Sequence, residues 1–223
     1  MDIPGLQVQR GHNPILMSDG SPFPLMMNET RDTLLDVETY QCFLKNAISQ
    51  FRHSVTYSHY KAYLLGLGLD HCQIHNQLHT SLDKEEKMCE IEMHHNVLTI
   101  FDIALVITEH ILNTVGEINT FQLIHLLKQE HRENHVKVVM LCKTCHQLVH
   151  NTDEMLIHYD MSFGDLSAFL ERYRYGITIE IANKIIWYLN TCIDKGETSV
   201  GHILELRDNV KDWSYLNQLY GIG

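Results

Sequence analysis

Residues 136–150 read Val-Lys-Val-Val-Met-Leu-Cys-Lys-Thr-Cys-His-Gln-Leu-Val-His. The first six of these residues are mostly apolar, which predicts a buried strand over residues 136–141. His146 and His150 are four residues apart, so their rings lie on one face of the helix that is predicted to follow. The stretch therefore predicts a strand and a helix that presents two imidazoles together.

A second segment far upstream carries a matching pair of histidines. Residues 88–93, Met-Cys-Glu-Ile-Glu-Met, predict a short strand that ends in His94 and His95. Neighbouring side chains of a strand point to opposite faces, but the backbone can turn at a strand end. One ring can then bind a metal while the other faces a substrate. A strand ending in His-His, a second strand and a helix with His-x3-His together predict a ββα-metal core.

The composition is that of an ordinary globular protein. The chain has 223 residues, of which 44% are hydrophobic and 20% charged, enough for one well-buried core. No apolar run approaches the roughly 18 residues that a membrane span needs. The amino-terminal residues lack the features of a secretory signal. We therefore expect a cytoplasmic protein (in the host cell, if a phage encodes it) that is not secreted and has no membrane contact.

The net charge of −11 at pH 7 argues against a simple nucleic-acid binder. A protein that grips a phosphate backbone usually presents a basic face. The acidic balance instead favours a protein that docks on a basic partner, or a nuclease that depends on a partner for its DNA affinity.

The chain divides into four predicted segments. All four prolines fall within the first 24 residues, so we predict an extended arm over residues 1–35. Such an arm can bind a protein partner or a second copy of the chain. Helical periodicity predicts amino-terminal helices over 36–69, the ββα core over 70–151 and a helical region over 152–223.

The predicted fold class is α+β and mostly helical. Two helices, at residues 98–112 and 121–130, separate the two strands and form an insertion in the ββα core. Amino-terminal helices precede this core, and three further helices follow it, at 164–173, 178–193 and 198–213.

The histidine segments resemble a known family of nucleases. His94-His95 resembles the first signature of the HNH (ββα-metal) endonucleases, and residues 141–150 resemble the last. With the long helical insert, residues 70–151 look like HNH proteins from bacteriophage genomes. The resemblance implies a divalent metal, Mg²⁺, Mn²⁺ or Zn²⁺, that promotes DNA phosphodiester hydrolysis with His95 as general base. It also implies three metal ligands, His94, His146 and His150.

The resemblance departs from the family at one position. The family's central Asn usually lies nine residues before the first helix histidine, where this chain has Lys137. Asn134, three residues earlier, is the candidate for that catalytic role. A histidine-rich ligand set favours a transition metal over Mg²⁺, which prefers oxygen. The cations near the predicted core, Lys137, Lys143 and Arg132, are candidates for phosphate contact.

The cysteines suggest a second, structural metal. Cys142-x2-Cys145 has the spacing of half a zinc site, and Cys72-x2-His75 has the spacing of the other half. Simple core packing of the thiols is the alternative. His131, at the end of a predicted helix, is expected to be exposed and to interact with the helix dipole. The alternative is that it orients a metal ligand or the phosphate.

Three functions compete at this point. The first, and the leading hypothesis, is a phage-type HNH endonuclease that acts on DNA. The second is a catalytically degenerate HNH-fold protein that serves as a binding or virion component with a structural metal. The third is an interaction module stabilised only by zinc. The acidic charge, the Lys137 position and the amino-terminal arm favour the second.

Overall fold

A computed structural model describes residues 6–7, 16–17, 27–74, 91–151 and 155–222. These residues form eight α-helices, six short strands and two single turns of 3₁₀ helix. In chain order the elements are β1 (Leu6–Gln7), β2 (Leu16–Met17), β3 (Glu29–Thr30), α1 (Val37–Arg52), α2 (Val55–Gly66), β4 (Ile91–His95), α3 (Ile100–Thr114), β5 (Glu117–Ile118), α4 (Thr120–Arg132), β6 (Val138–Cys142), α5 (Lys143–Asn151), α6 (Leu166–Arg172), α7 (Ile179–Asp194) and α8 (Val200–Leu219), with 3₁₀ turns at Tyr159–Met161 and Arg174–Gly176.

The strands pair in three antiparallel two-stranded sheets, β1 with β2, β3 with β5, and β4 with β6. In the longest of these, His95 lies opposite Val138 and Ile91 lies opposite Cys142. The chain between β4 and β6 holds α3, β5 and α4, and α5 follows β6 directly. The α+β class, the high helix content and the two helices inserted between the strands all agree with the sequence prediction.

Strand β6 contributes to two separate hydrophobic clusters because its side chains alternate between the faces of the sheet. Val138 and Met140 belong to the main core, which includes residues from α1, α2, α3, α4, α6, α7 and α8. Val139 and Leu141 belong to a second, smaller cluster that includes three cysteines. All five residues of β6 are buried, as its apolar sequence requires.

The edge of β6 that faces away from β4 is also hydrogen-bonded. Val138 exchanges two backbone hydrogen bonds of 2.8 Å with Phe163. Further along, the Met140 amide donates to Gln73 Oε1 at 2.7 Å, and the Gln73 amide donates to the Met140 carbonyl at 2.9 Å. The strand is thus held on both edges, which a buried backbone needs.

The structure confirms a strand that ends in the histidine pair, since His94 and His95 are the last two residues of β4. Pairing with Val138 and Val139 continues the strand through both histidines. Their rings therefore lie on opposite faces without a turn of the backbone.

Asn96 and Val97 form the exit from β4. The Asn96 amide group donates to Ser162 Oγ at 2.8 Å and to the Tyr188 hydroxyl at 2.9 Å, which connects the strand to α7. Val97 has φ = 68°, an unusual value for a β-branched residue. Thr99 and Asp102 then form a capping box that begins α3.

The sequence also led us to expect no membrane contact, and the helices are the elements to compare with this expectation. Among the residues that the structure describes, no helix combines the length and the apolar character that a membrane crossing requires.

Gly176 allows the second 3₁₀ turn to approach α3 closely. A Cβ atom at this position would overlap the carbonyl oxygen of Val106 and would lie 2.7 Å from the His110 amide nitrogen. Both are backbone atoms, so they cannot move aside as a flexible side chain would.

We predict that Gly176→Ala lowers the free energy of unfolding by about 2–3 kcal/mol, because the added methyl group forces α3 and the turn apart. The matched control is Gly201→Ala in α8, where nothing lies within 4 Å of the new Cβ. It should raise stability by about 0.5 kcal/mol, because alanine favours helix. Urea unfolding of both variants measures the difference, and equal stabilities would contradict the close packing.

Candidate metal centre and its cleft

Three imidazoles converge between β4 and α5. The ring centroids of His94, His146 and His150 lie 4.7–5.1 Å apart, and the ring planes meet at 71–79°. One nitrogen from each ring lies within 4.8 Å of the other two. Zinc–imidazole bonds of about 2.0–2.1 Å allow ligand atoms at such separations after a small movement. The structure thus brings together the three residues that were predicted from the sequence as metal ligands.

The convergence follows from two local periodicities. His146 and His150 are one helical turn apart on α5, so both rings project from the same side of the helix. His94 lies two residues after Glu92 in β4, so both side chains lie on the same face of the sheet. Because α5 begins directly after β6, the helix returns along this face.

Glu92 orients one of the imidazoles. Its Oε2 atom lies 2.6 Å from Nδ1 of His146, and an ionised carboxylate can only accept, so Nδ1 carries the hydrogen. In the neutral ring the lone pair is then on Nε2. A carboxylate behind a histidine is the arrangement that fixes the tautomer of metal-binding imidazoles in proteins. Glu92 was not among the predicted site residues, although its position two residues before His94 was a usable signal.

The environment favours the neutral form of two of these histidines, His94 and His150. Burial, together with the nearby rings of His150 and His146, lowers the pKa of His94 to about 4. Burial and His146 also lower the pKa of His150. A neutral imidazole is the form that binds a metal ion.

A cleft of about 440 Å³ opens beside the three histidines. Two cations that were not predicted as site residues line it, Arg52 at the end of α1 and Lys61 in α2. Its other lining residues are Tyr57, Glu92, Met93, His94, His95, Thr99, Ile100, His146 and His150. The amino-terminal helices and the histidine segment thus share one cleft, which their distance in sequence concealed.

His95 points away from the three-histidine cluster and pairs with a buried histidine of α4. Its Nε2 atom lies 3.0 Å from Nε2 of His131, whose Nδ1 lies 2.7 Å from the Leu127 carbonyl oxygen. Only a protonated Nδ1 can donate to that carbonyl, so in the neutral ring Nε2 of His131 accepts. His95 must then donate from Nε2, which leaves a lone pair on its own Nδ1.

His131 is enclosed by aromatic rings. Its centroid lies 4.5 Å from that of Phe51, 5.3 Å from Tyr60 and 6.4 Å from Tyr57. This burial lowers the pKa of His131 to about 4, although the Leu127 carbonyl opposes the shift. The expectation of an exposed helix-end histidine is wrong, because α1 and α2 pack over this part of α4.

Asn134, the candidate for the missing catalytic asparagine, ends α4. Its φ of 57° is left-handed, a conformation that asparagine tolerates better than most residues and that commonly ends helices. The following amide, of His135, donates back to the Glu130 carbonyl at 3.0 Å. Asn134 is not among the described residues that line the cleft.

The three predicted phosphate-contact residues lie in different surroundings. Lys137 is buried, and its Nζ donates at 3.0 Å to the carbonyls of Tyr159 and Ser162, so the ammonium group faces the interior. Lys143 and Arg132 are exposed, and neither is among the described lining residues of the cleft. Phosphate contact by these residues stays a prediction.

Three of the four predicted structural-zinc ligands also come together. Sulfur atoms of Cys72, Cys142 and Cys145 lie within 4.8 Å of one another, and all three residues are buried. The fourth, His75, lies outside the described residues.

The fold is an α+β scaffold with an acidic sequence, and its described residues include three groups of side chains that could hold a metal ion, the third being Glu130, Glu133 and His135. Comparison with known families places it among phage structural proteins. The chain matches the family described as "Bacteriophage G278-like virion protein" over residues 20–211, most of its length, and belongs to that family. No curated protein and no solved structure matches the chain.

This match corrects the resemblance drawn from the histidine motifs. The family is one of virion proteins and not of HNH endonucleases, so the predicted HNH membership and the nuclease and hydrolase assignment are wrong. Phage origin and the alternative reading as a virion or interaction protein agree with the match. The motifs misled because His-His and His-x3-His specify a geometry of imidazoles, which unrelated proteins can share.

The buried His95–His131 pair predicts acid sensitivity. The pKa of His131 is about 4 in the folded protein against 6.5 for an ordinary histidine, so between these values the unfolded chain binds the additional proton. The contribution of His131 to the free energy of unfolding is therefore fully present above pH 6.5. It is lost as the pH is lowered toward 4, which decreases the free energy of unfolding by about 3 kcal/mol.

We expect His131→Gln to flatten the pH dependence of the unfolding free energy between pH 7 and 4.5. Urea unfolding in EDTA measures it, and His125→Gln, an exposed histidine of the same helix, is the control. If both variants show the wild-type slope, the pair does not titrate as the structure implies.

Proposed function

We propose that this protein is a non-catalytic interaction component of the phage particle, with a metal ion that stabilises the β4–β6–α5 unit. The observation that carries the proposal is the match to a virion protein family over residues 20–211. Membership across most of the chain supports a role for the whole fold, whereas the nuclease reading rested on two short motifs. Host-cytoplasm localisation then applies to the protein before it assembles.

Its partners are other proteins of the particle. The net charge of −11 favours docking against a basic protein surface, because complementary charges steer association and exclude wrong partners. The arm over residues 1–35 provides a second means of attachment, to such a partner or to another copy of this chain.

The described end of the arm supports this role. Glu29 and Thr30 pair with Ile118 and Glu117, and Arg31 forms an ion pair of 2.9 Å with Glu109. These contacts anchor the end of the arm on the body of the protein.

The metal is a transition-metal ion, Zn²⁺ above all, bound by His94, His146 and His150. Three neutral imidazoles suit zinc better than Mg²⁺, and Glu92 holds His146 in the required tautomer. The ligands come from a strand and a helix that are some fifty residues apart in sequence. The ion therefore joins segments that only the folded chain brings together, which stabilises the folded state.

A metal-binding experiment tests the site. Zinc at about 100 times its dissociation constant should raise the unfolding free energy of the metal-free protein by about 2.7 kcal/mol. His94→Ala should lower the number of zinc ions bound per chain by one, because two imidazoles hold zinc poorly. Glu92→Ala should weaken zinc binding by about 10–100-fold, because His146 loses its orienting carboxylate.

The controls are His125→Ala and Glu205→Ala, exposed residues outside the cleft, which should bind zinc as the wild type does. Competition with a chromogenic chelator measures the affinities and the number of zinc ions bound per chain. An unchanged number in His94→Ala would contradict the three-histidine site.

A particle-incorporation experiment tests the virion role. Phage that lack the protein are complemented with the full chain or with a chain that lacks residues 1–26, and purified particles are immunoblotted. We expect the full chain in the particles and the truncated chain to be reduced at least tenfold, with an unchanged thermal unfolding midpoint. Full-length Glu205→Ala serves as the control.

Absence of the full chain from purified particles would overturn the proposed function. Equal incorporation of the truncated chain would overturn only the attachment by the arm.

A further inference from the structure

The second hydrophobic cluster contains the cysteines beside β6. Cys72, Cys142 and Cys145 share this cluster with Val139, Leu141 and Ile157. The exposed fractions of the three cysteines are 6%, 7% and 1%, and their sulfur atoms lie within 4.8 Å of one another. Three thiols from two distant segments thus meet in one enclosed space.

Two of the thiols are fixed by the strand-to-helix junction. Cys142 is the last residue of β6, and Cys145 is the third residue of α5. A separation of three residues across the first helical turn places both side chains on one side of the junction.

The third thiol is positioned by its neighbour, Gln73. The Gln73 backbone amide donates to the Met140 carbonyl at 2.9 Å, and its side-chain oxygen accepts from the Met140 amide at 2.7 Å. Its Nε2 atom donates to the Met161 carbonyl at 2.8 Å. These three hydrogen bonds hold the chain at residue 73 against β6, so Cys72 is placed beside Cys142 whether or not a metal is bound.

We propose that Cys72, Cys142 and Cys145 bind a second transition-metal ion through three thiolates, and that this ion fixes the start of α5. Zinc is the expected ion, because soft thiolate ligands select it over Mg²⁺ or Ca²⁺. Zinc–sulfur bonds of about 2.3 Å place tetrahedral sulfur ligands about 3.8 Å apart, which the observed cluster reaches with small side-chain rotations. Each thiol releases one proton to solvent as its sulfur binds the metal.

This ion would also act on the three-histidine site, a consequence that rests on the proposed function. Cys145 and His146 are consecutive residues of α5. A metal that holds Cys145 restricts the helix that presents His146 and His150, so it lowers the cost of organising the histidines. The coupling is reciprocal for binding.

Cobalt titration of the full-length, reduced, metal-free protein tests the thiolate site. Thiolate-bound Co²⁺ gives an intense near-ultraviolet charge-transfer absorption, which imidazole-bound Co²⁺ lacks. We expect this band in the wild type and in His94→Ala, and its loss in Cys72→Ser. The matched control is Cys42→Ser, an exposed cysteine of α1, which should retain the band.

Absence of the band in the wild type, or its persistence at full strength in Cys72→Ser, would overturn the thiolate site. A band in the wild type together with unchanged zinc binding in His94→Ala would sink the three-histidine site and leave this one intact. The two proposals can therefore fail separately.

A second measurement uses the wild-type protein, so its result does not depend on whether a variant folds. Zinc should slow alkylation of three cysteines in the wild-type protein, and mass spectrometry should identify them as Cys72, Cys142 and Cys145. Equal alkylation rates at these positions with and without zinc would contradict the proposal. If Cys72→Ser folds, its three-histidine site should bind Co²⁺ at least about fivefold more weakly than the same site in the wild-type protein.

Discussion

The antiparallel pairing of β4 with β6 is the constraint on which the rest of the structure depends. It places alternate side chains of each strand on opposite faces of a two-stranded sheet. One face carries Glu92 and His94 toward α5, and the other carries Met93 and His95 toward the main core. A shift of one residue in the register would exchange these faces, so a single pairing determines where every histidine of the strand lies.

Buried polar groups explain why this register is held. His95 and His131 form a hydrogen-bonded pair inside an aromatic enclosure, and Asn96 bonds to Ser162 and Tyr188. Each of these groups would be costly to bury without its partner. The partners come from α4, from α7 and from the segment before α6, so the wrong register would leave several polar atoms unsatisfied at once.

The family match and the site geometry describe different aspects of the protein. Clustered histidines and cysteines specify what chemistry a surface can support, namely metal binding, but they do not specify ancestry or a reaction. The match extends over residues 20–211 and includes the helices that the motif comparison ignored. An acidic virion protein that uses metal ions to join distant segments is compatible with both.

The sequence by itself determined the local structure and part of the site. Hydrophobic periodicity located α3, α4, α6 and α7 within a few residues, and the His-x3-His spacing placed two imidazoles on one helix face, because these features depend only on near neighbours in the chain. Only the tertiary structure decided that His95 pairs with His131, that Lys137 turns inward, that Asn134 ends a helix and that Arg52 and Lys61 line the cleft. Each of these depends on contacts between segments far apart in sequence, for which no local spacing carries a signal.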